Sequence, residues 1–124
     1  MLGENFIMKY FAMTLNLKND EKLISEYKSF HRNVWPEVLE ALKNIGIIDM
    51  KIFLSGTKLF MYIETIDTFC PEVNFQEYTA SSPKANEWDE LMRNFQTRVP
   101  EAKEGEWWSS MEEVFNLKWG ENAS

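Results

Sequence analysis

Tyr27 and His31, the only histidine in the chain, stand four residues apart in the stretch 26–37, EYKSFHRNVWPE. At 3.6 residues per turn, positions i and i+4 stack on one helical face, so the two rings would sit side by side in a helix. Val34 and Val38 fall within about 20° of Tyr27 on the same wheel, which turns this face toward the interior. Imidazole titrates near neutrality and a phenol donates or accepts through one oxygen, so the pair suits a reaction that moves protons on and off oxygen. Pro36 removes a backbone donor and disfavours helical geometry at Trp35. Either the helix kinks there or a second one starts with Pro36 at its first position. In both cases the Arg32 carbonyl is left without its usual partner close to His31. The bland alternative is a core histidine and a packed tyrosine, each with one satisfied hydrogen bond.

The elements that must hold the pair are legible in order. Residues 8–17 (MKYFAMTLNL) read as a buried strand. Asn19-Asp20 offers a helix cap with Glu21 in the first turn. Leu23, Tyr27, His31, Val34, Val38, Leu42 and Ile45 then keep helical spacing up to Gly46, a C-terminal stop. Residues 47–54 and 58–66 are strand-like around a short loop, Ser55-Gly56-Thr57. An irregular connection over 67–78 follows. Ser82-Pro83 opens a second helix, whose stripe of Trp88, Leu91, Met92, Phe95 and Val99 runs until Pro100. After a charged loop over 100–106, alternation of Met111, Glu113, Phe115 and Leu117 with their neighbours predicts a last strand within 107–119.

Strand, helix, hairpin, helix, strand is the ferredoxin-like split βαβ order: an α+β fold with one antiparallel sheet and its helices on one face. Apolar residues on both sides of Phe60-Met61-Tyr62-Ile63 point to burial of the second face as well, most simply by a second copy in a dimeric α+β barrel.

A chain of 124 residues fits one domain, 1–124, with 1–7 as a loose extension, since Met8 would serve equally well as a start. With 44% hydrophobic and 15% aromatic residues it can build a real core, burying roughly two-thirds of its unfolded surface. A net charge of −7, with basic residues scattered among acids, argues against nucleic acid and favours a neutral small ligand. The lone Cys70 has neither an internal disulfide partner nor metal-ligand companions, which fits a reducing cytoplasm. No stretch approaches the ~20 apolar residues of a membrane span, and the N-terminus carries no secretory pattern, so the protein is expected to stay where it is made. Phosphate loops, nucleophile elbows and dinucleotide fingerprints are also missing, leaving acid–base groups to do any chemistry.

Phe11-Ala12-Met13, the core Glu26-Tyr27-x-x-x-His31-x-x-Val34-Trp35-Pro36-Glu37, Leu59-Phe60-Met61 with Glu64, and Met111-Glu112-Glu113-Val114-Phe115 together resemble the L-rhamnose mutarotase family, in the same order over residues 8–118. Ser82-Pro83-Lys84, Glu87-Trp88, Leu91-Met92, Phe95-Gln96, Gly105-Glu106 and Trp108 are more similar to members that handle L-fucose. The resemblance implies a cofactor-free homodimer that interconverts the α and β anomers of a 6-deoxyhexose, with Tyr27 and His31 as the acid–base pair and Trp88 facing the sugar. The chemistry suits the residues: one proton leaves the anomeric hydroxyl while another reaches the ring oxygen, the ring opens, the C1–C2 bond turns and closure reverses the transfers. Flat apolar walls for the sugar's C–H faces and 6-methyl group would come from Trp88 and Trp108, of which the alternatives are core packing and packing at a dimer seam. Glu64 and Glu112 read as solvated or paired. Two other readings stay open: a cofactor-independent oxygenase or haem-degrading barrel with a histidine in the same cavity, and a non-catalytic module that binds a sugar or a partner.

Overall fold

The computed structural model describes residues 8–121; the N-terminal extension read over 1–7 lies outside them. Ten elements follow one another: β1 (Lys9–Leu17), α1 (Glu21–Arg32), α2 (Pro36–Asn44), β2 (Ile47–Ser55), β3 (Lys58–Thr65), α3 (Pro71–Ser81), α4 (Pro83–Arg93), β4 (Gln96–Thr97), β5 (Ser109–Ser110) and α5 (Lys118–Glu121). The sheet is antiparallel in the order β2-β3-β1-β4, and β5 also pairs with β1. This is the α+β, split βαβ arrangement expected from the order of elements.

Alternation decides which face of each strand meets the helices. Met13, Leu15 and Leu17 of β1 and Leu59, Met61 and Ile63 of β3 are buried against the helical layer. Tyr10, Phe53 and Phe60 look the other way and are exposed. In β2 the phase changes once. Ile47 pairs with Thr65 and Asp49 with Glu64, leaving Ile48 as the extra residue of a bulge. Beyond it Met50, Ile52 and Leu54 take the inner positions and pack on the core. Gly46, at φ +106°, makes the turn into this strand with the Ile66 side chain close beside it.

Pro36 starts a new helix. Asp20 caps α1, its Oδ1 accepting from the Leu23 N–H at 3.0 Å. The Asn33 N–H closes that helix on the Phe30 carbonyl, and α2 begins with Pro36 at its first position.

Three expectations fail. Most of the irregular connection at 67–78 is helix: α3 starts at Pro71, and Asn74 Oδ1 accepts the Cys70 N–H at 2.6 Å. The helix expected to reach Pro100 stops at Arg93, because Gln96 and Thr97 leave it to pair with Leu17 and Asn16 of β1. Phe95 and Val99 stay buried without being helical, so the apolar spacing outlasts the helix. The last strand shrinks to Ser109–Ser110. Residues 111–117 alternate in sequence, but they run along the surface with Val114, Phe115 and Leu117 all more than two-thirds exposed. Among the described residues no helix is long and apolar enough to cross a membrane.

Candidate active site

Between the helical layer and the inner face of the sheet lies a cavity of about 520 Å³, lined from α1 by Tyr27 and His31, from β2 and β3 by Met50, Ile52 and Met61, and from α4 by Trp88. Its size is that of a small-molecule site, and the walls are mostly apolar with a few convergent polar groups.

The helical register brings Tyr27 and His31 together as the spacing requires. Their ring centroids are 4.2 Å apart with the planes 34° from parallel. His31 Nδ1 lies 2.9 Å from the Tyr27 backbone carbonyl. A carbonyl can only accept, so Nδ1 carries the proton in the neutral ring and Nε2 is left with a free lone pair. Burial lowers the His31 pKa from its ordinary value, the backbone hydrogen bond opposing that shift. At neutral pH the imidazole is therefore an uncharged base.

Tyr27 is buried and its hydroxyl pKa is pushed up to about 12 by desolvation, against a lowering contribution from the Gln96 side chain. Gln96 reaches it through sheet register. It is the partner of Leu17, whose side chain faces inward, and opposite residues of an antiparallel pair share a face. The phenol thus keeps its proton at neutral pH beside a ring that has room for one.

Trp88 is buried and stands edge-on to three rings: Phe30 at 6.1 Å, His31 at 5.4 Å and Trp35 at 5.2 Å between centroids. Trp108 lines the cavity from the far end of the chain, while Trp107 lies under the Arg93 guanidinium at 5.5 Å. Of the two adjacent indoles Trp108 lines the cavity, although both lie in a bend ahead of β5 and not in a strand. Arg98 ties off the loop before them by donating to the carbonyls of Glu106 and Lys103. Glu64 accepts from the Tyr62 hydroxyl at 2.7 Å, away from the cavity lining. Glu112 is exposed.

Among the cavity residues to which the sequence reading gave no role are Tyr78, Phe75, Asp89 and Gln96, the last quoted only among the residues similar to members that handle L-fucose. Gln96 lay inside a stretch read as helix, and Phe75 and Tyr78 inside one read as irregular. Asp89 was one acid among 20, although its place beside Trp88 and four residues before Arg93 marked it. Its carboxyl pKa is raised to about 6, chiefly by desolvation, with Arg93 pulling the other way. A carboxyl with a raised folded pKa stabilises the fold at low pH and loses that contribution as pH rises through the folded value. Asp89→Asn is therefore expected to leave stability unchanged at pH 4 and to gain roughly 1–2 kcal/mol above pH 6, burial of the new amide offsetting part of the gain. Urea midpoints of both proteins across pH 4–8 check this.

The α+β fold thus holds a cavity under its helices in which a neutral imidazole meets a protonated phenol between indole walls. The family profile for L-rhamnose mutarotase matches residues 10–117. The chain belongs to the L-rhamnose mutarotase family. It is 56% identical over 114 residues to a UPF0734 protein of Dictyostelium discoideum, covering 90% of this chain and 91% of that one. It is 33% identical over 112 residues to an L-fucose mutarotase of Xanthomonas campestris pv. campestris, covering 89% of each. The crystal structure of an L-rhamnose mutarotase from Formosa agariphila superposes with a TM-score of 0.64 at 22% identity, covering 88% of this chain and 98% of that one, and supports the fold.

Proposed function

We propose that the cavity interconverts the α and β pyranose anomers of a 6-deoxyhexose, with His31 and Tyr27 as the acid–base pair and no cofactor. The observation that carries this reading is the pairing of a neutral imidazole, its tautomer set by the Tyr27 carbonyl, with a phenol held protonated in the same apolar cavity. His31 Nε2 takes the proton of the anomeric hydroxyl while the Tyr27 hydroxyl gives one to the ring oxygen. The ring C–O bond breaks, the aldehyde turns about C1–C2, and closure on the other face returns both protons. Trp88 and Trp108 supply the flat walls. Similarity to the Xanthomonas L-fucose mutarotase along nearly the whole chain supports L-fucose ahead of L-rhamnose as substrate. The test is NMR exchange between anomer signals at equilibrium: acceleration with L-fucose, L-rhamnose or both is expected, and no acceleration with either overturns the reading.

The same proposal has the protein working in the cytoplasm on a neutral monosaccharide, without nucleic acid or membrane, as a homodimer joined through the outer sheet face. That face carries Phe53 and Phe60 stacked at 6.1 Å with both rings exposed. Beside it Tyr10 donates to Glu113 at 2.5 Å and accepts from Asn116, which lays the apolar segment 111–117 along the same edge. Exposed apolar area of this kind marks an interaction surface. Light scattering should show a dimer for the wild type and a monomer for Phe53→Asp/Phe60→Asp; a wild-type monomer would rule out the barrel.

A further inference from the structure

Asp89 is the one cavity-lining carboxylate on α4, and the fold leaves it without a partner. Arg93, one turn further along the helix, is the expected i+4 ion pair. Its guanidinium instead lies over the Trp107 ring at 5.5 Å, and among the described residues Asp89 makes no ion pair and no side-chain hydrogen bond. Asp89 is half-buried and its carboxylate oxygens are not sealed off, so they stay open to a donor through the cavity that the residue lines. Here the donors are missing on the side that faces the cavity, where a ligand would sit.

The position of Asp89 separates it from the proton-transfer pair. Trp88, its neighbour in sequence, presents its indole edge to His31. Asp89 is 100° further round the helix, on the flank it shares with Arg93 and turned toward Tyr78 of α3, whose pKa it helps to raise. A sugar with its anomeric centre at His31 and one face along Trp88 would therefore direct hydroxyls further round the ring toward α4 and α3. A carboxylate has two oxygens and about four lone-pair sites, so it can accept from two adjacent hydroxyls at once.

Resting on the mutarotase reading, we propose that Asp89 is the residue that selects the sugar, accepting hydrogen bonds from two adjacent hydroxyls remote from the anomeric carbon. L-Fucose and L-rhamnose differ in hydroxyl configuration at C2 and C4, so a carboxylate fixed at that end of the ring meets a different pair in each. Its work is binding, not proton transfer.

Asp89→Asn keeps the shape and removes two of the acceptor sites and the charge; Asp89→Ala repeats the test without introducing an amide. Anomer exchange by NMR over a range of sugar concentrations separates KM from kcat, and calorimetric titration with each sugar reads binding by itself. Charge-assisted hydrogen bonds of this sort imply a KM and Kd raised about 10- to 100-fold. The expected result is that rise, with kcat within about threefold of wild type and a narrowed preference between the two sugars. Unchanged KM in both variants overturns the proposal, and so does a fall in kcat at constant KM. If wild type binds a sugar without speeding its exchange, the proposed function fails while the Asp89 assignment is still decided by the titration. If it neither binds nor exchanges either sugar, both fall.

Discussion

His31→Ala is expected to remove most of the catalysed anomer exchange, lowering kcat by about 10²–10⁴-fold, the usual worth of a placed acid–base group. The side chain is only half-buried and among the described residues it hydrogen-bonds only to the backbone of its own helix, so the variant should fold. The pH profile carries independent information. Burial lowers the His31 pKa, so the base form persists below pH 6.5 and the rate should fall only on the acid side of that value. Tyr27, at about 12, gives no alkaline limb in the accessible range. Stability moves the same way: a depressed histidine pKa contributes above 6.5 and loses its contribution as pH falls through the folded value. NMR exchange rates between pH 5 and 9 for both proteins are the measurement, and a His31→Ala enzyme with an unchanged rate would remove His31 from the mechanism.

Trp88→Ala should be the most damaging single substitution for stability in the cavity wall, costing about 3–5 kcal/mol. The indole is buried and its contacts to Phe30, His31 and Trp35 join α4 to α1 and to the start of α2. Edge-to-face pairs add to the area term, and they would be lost together. Against a total stability of about 5–15 kcal/mol for a domain of this kind, the loss is large enough to read directly in a urea midpoint. Trp88→Phe keeps a ring in the wall and should cost about 1–2 kcal/mol. That variant is the one in which to measure sugar affinity, which is expected to weaken through loss of flat contact area.

Where sequence patterning was strong, it placed elements and residues well. The Tyr27–His31 spacing, the Asp20 and Ser82 caps, and Pro36 and Pro83 at helix starts all reappear in the structure, because each is a local rule that tertiary packing had no cause to override. The failures have local causes too. Helix α3 lacks an apolar stripe: Val73 is exposed, and Phe75 and Tyr78 alone face the cavity. The α4 spacing carries on through Phe95 and Val99 because the chain stays against the core after the helix ends. Residues 111–117 alternate like a strand, yet their apolar side chains face solvent, where the proposed second copy would cover them. The bulge at Ile48 left no mark in composition at all, and yet it decides that Met50 and Ile52 line the cavity. The cavity positions of Asp89 and Gln96 depend on what packs against α4 and β4, which local spacing does not show.

The hydrogen bond that sets the His31 tautomer has an evolutionary consequence. Where a side-chain carboxylate orients a histidine, one base change can delete it. Here the acceptor is the main-chain oxygen of Tyr27, which every residue possesses. No substitution at position 27 other than one that breaks the helix can take it away. The tautomer of the proposed base is thus preset by helix geometry, and changes in the surrounding cavity leave it undisturbed.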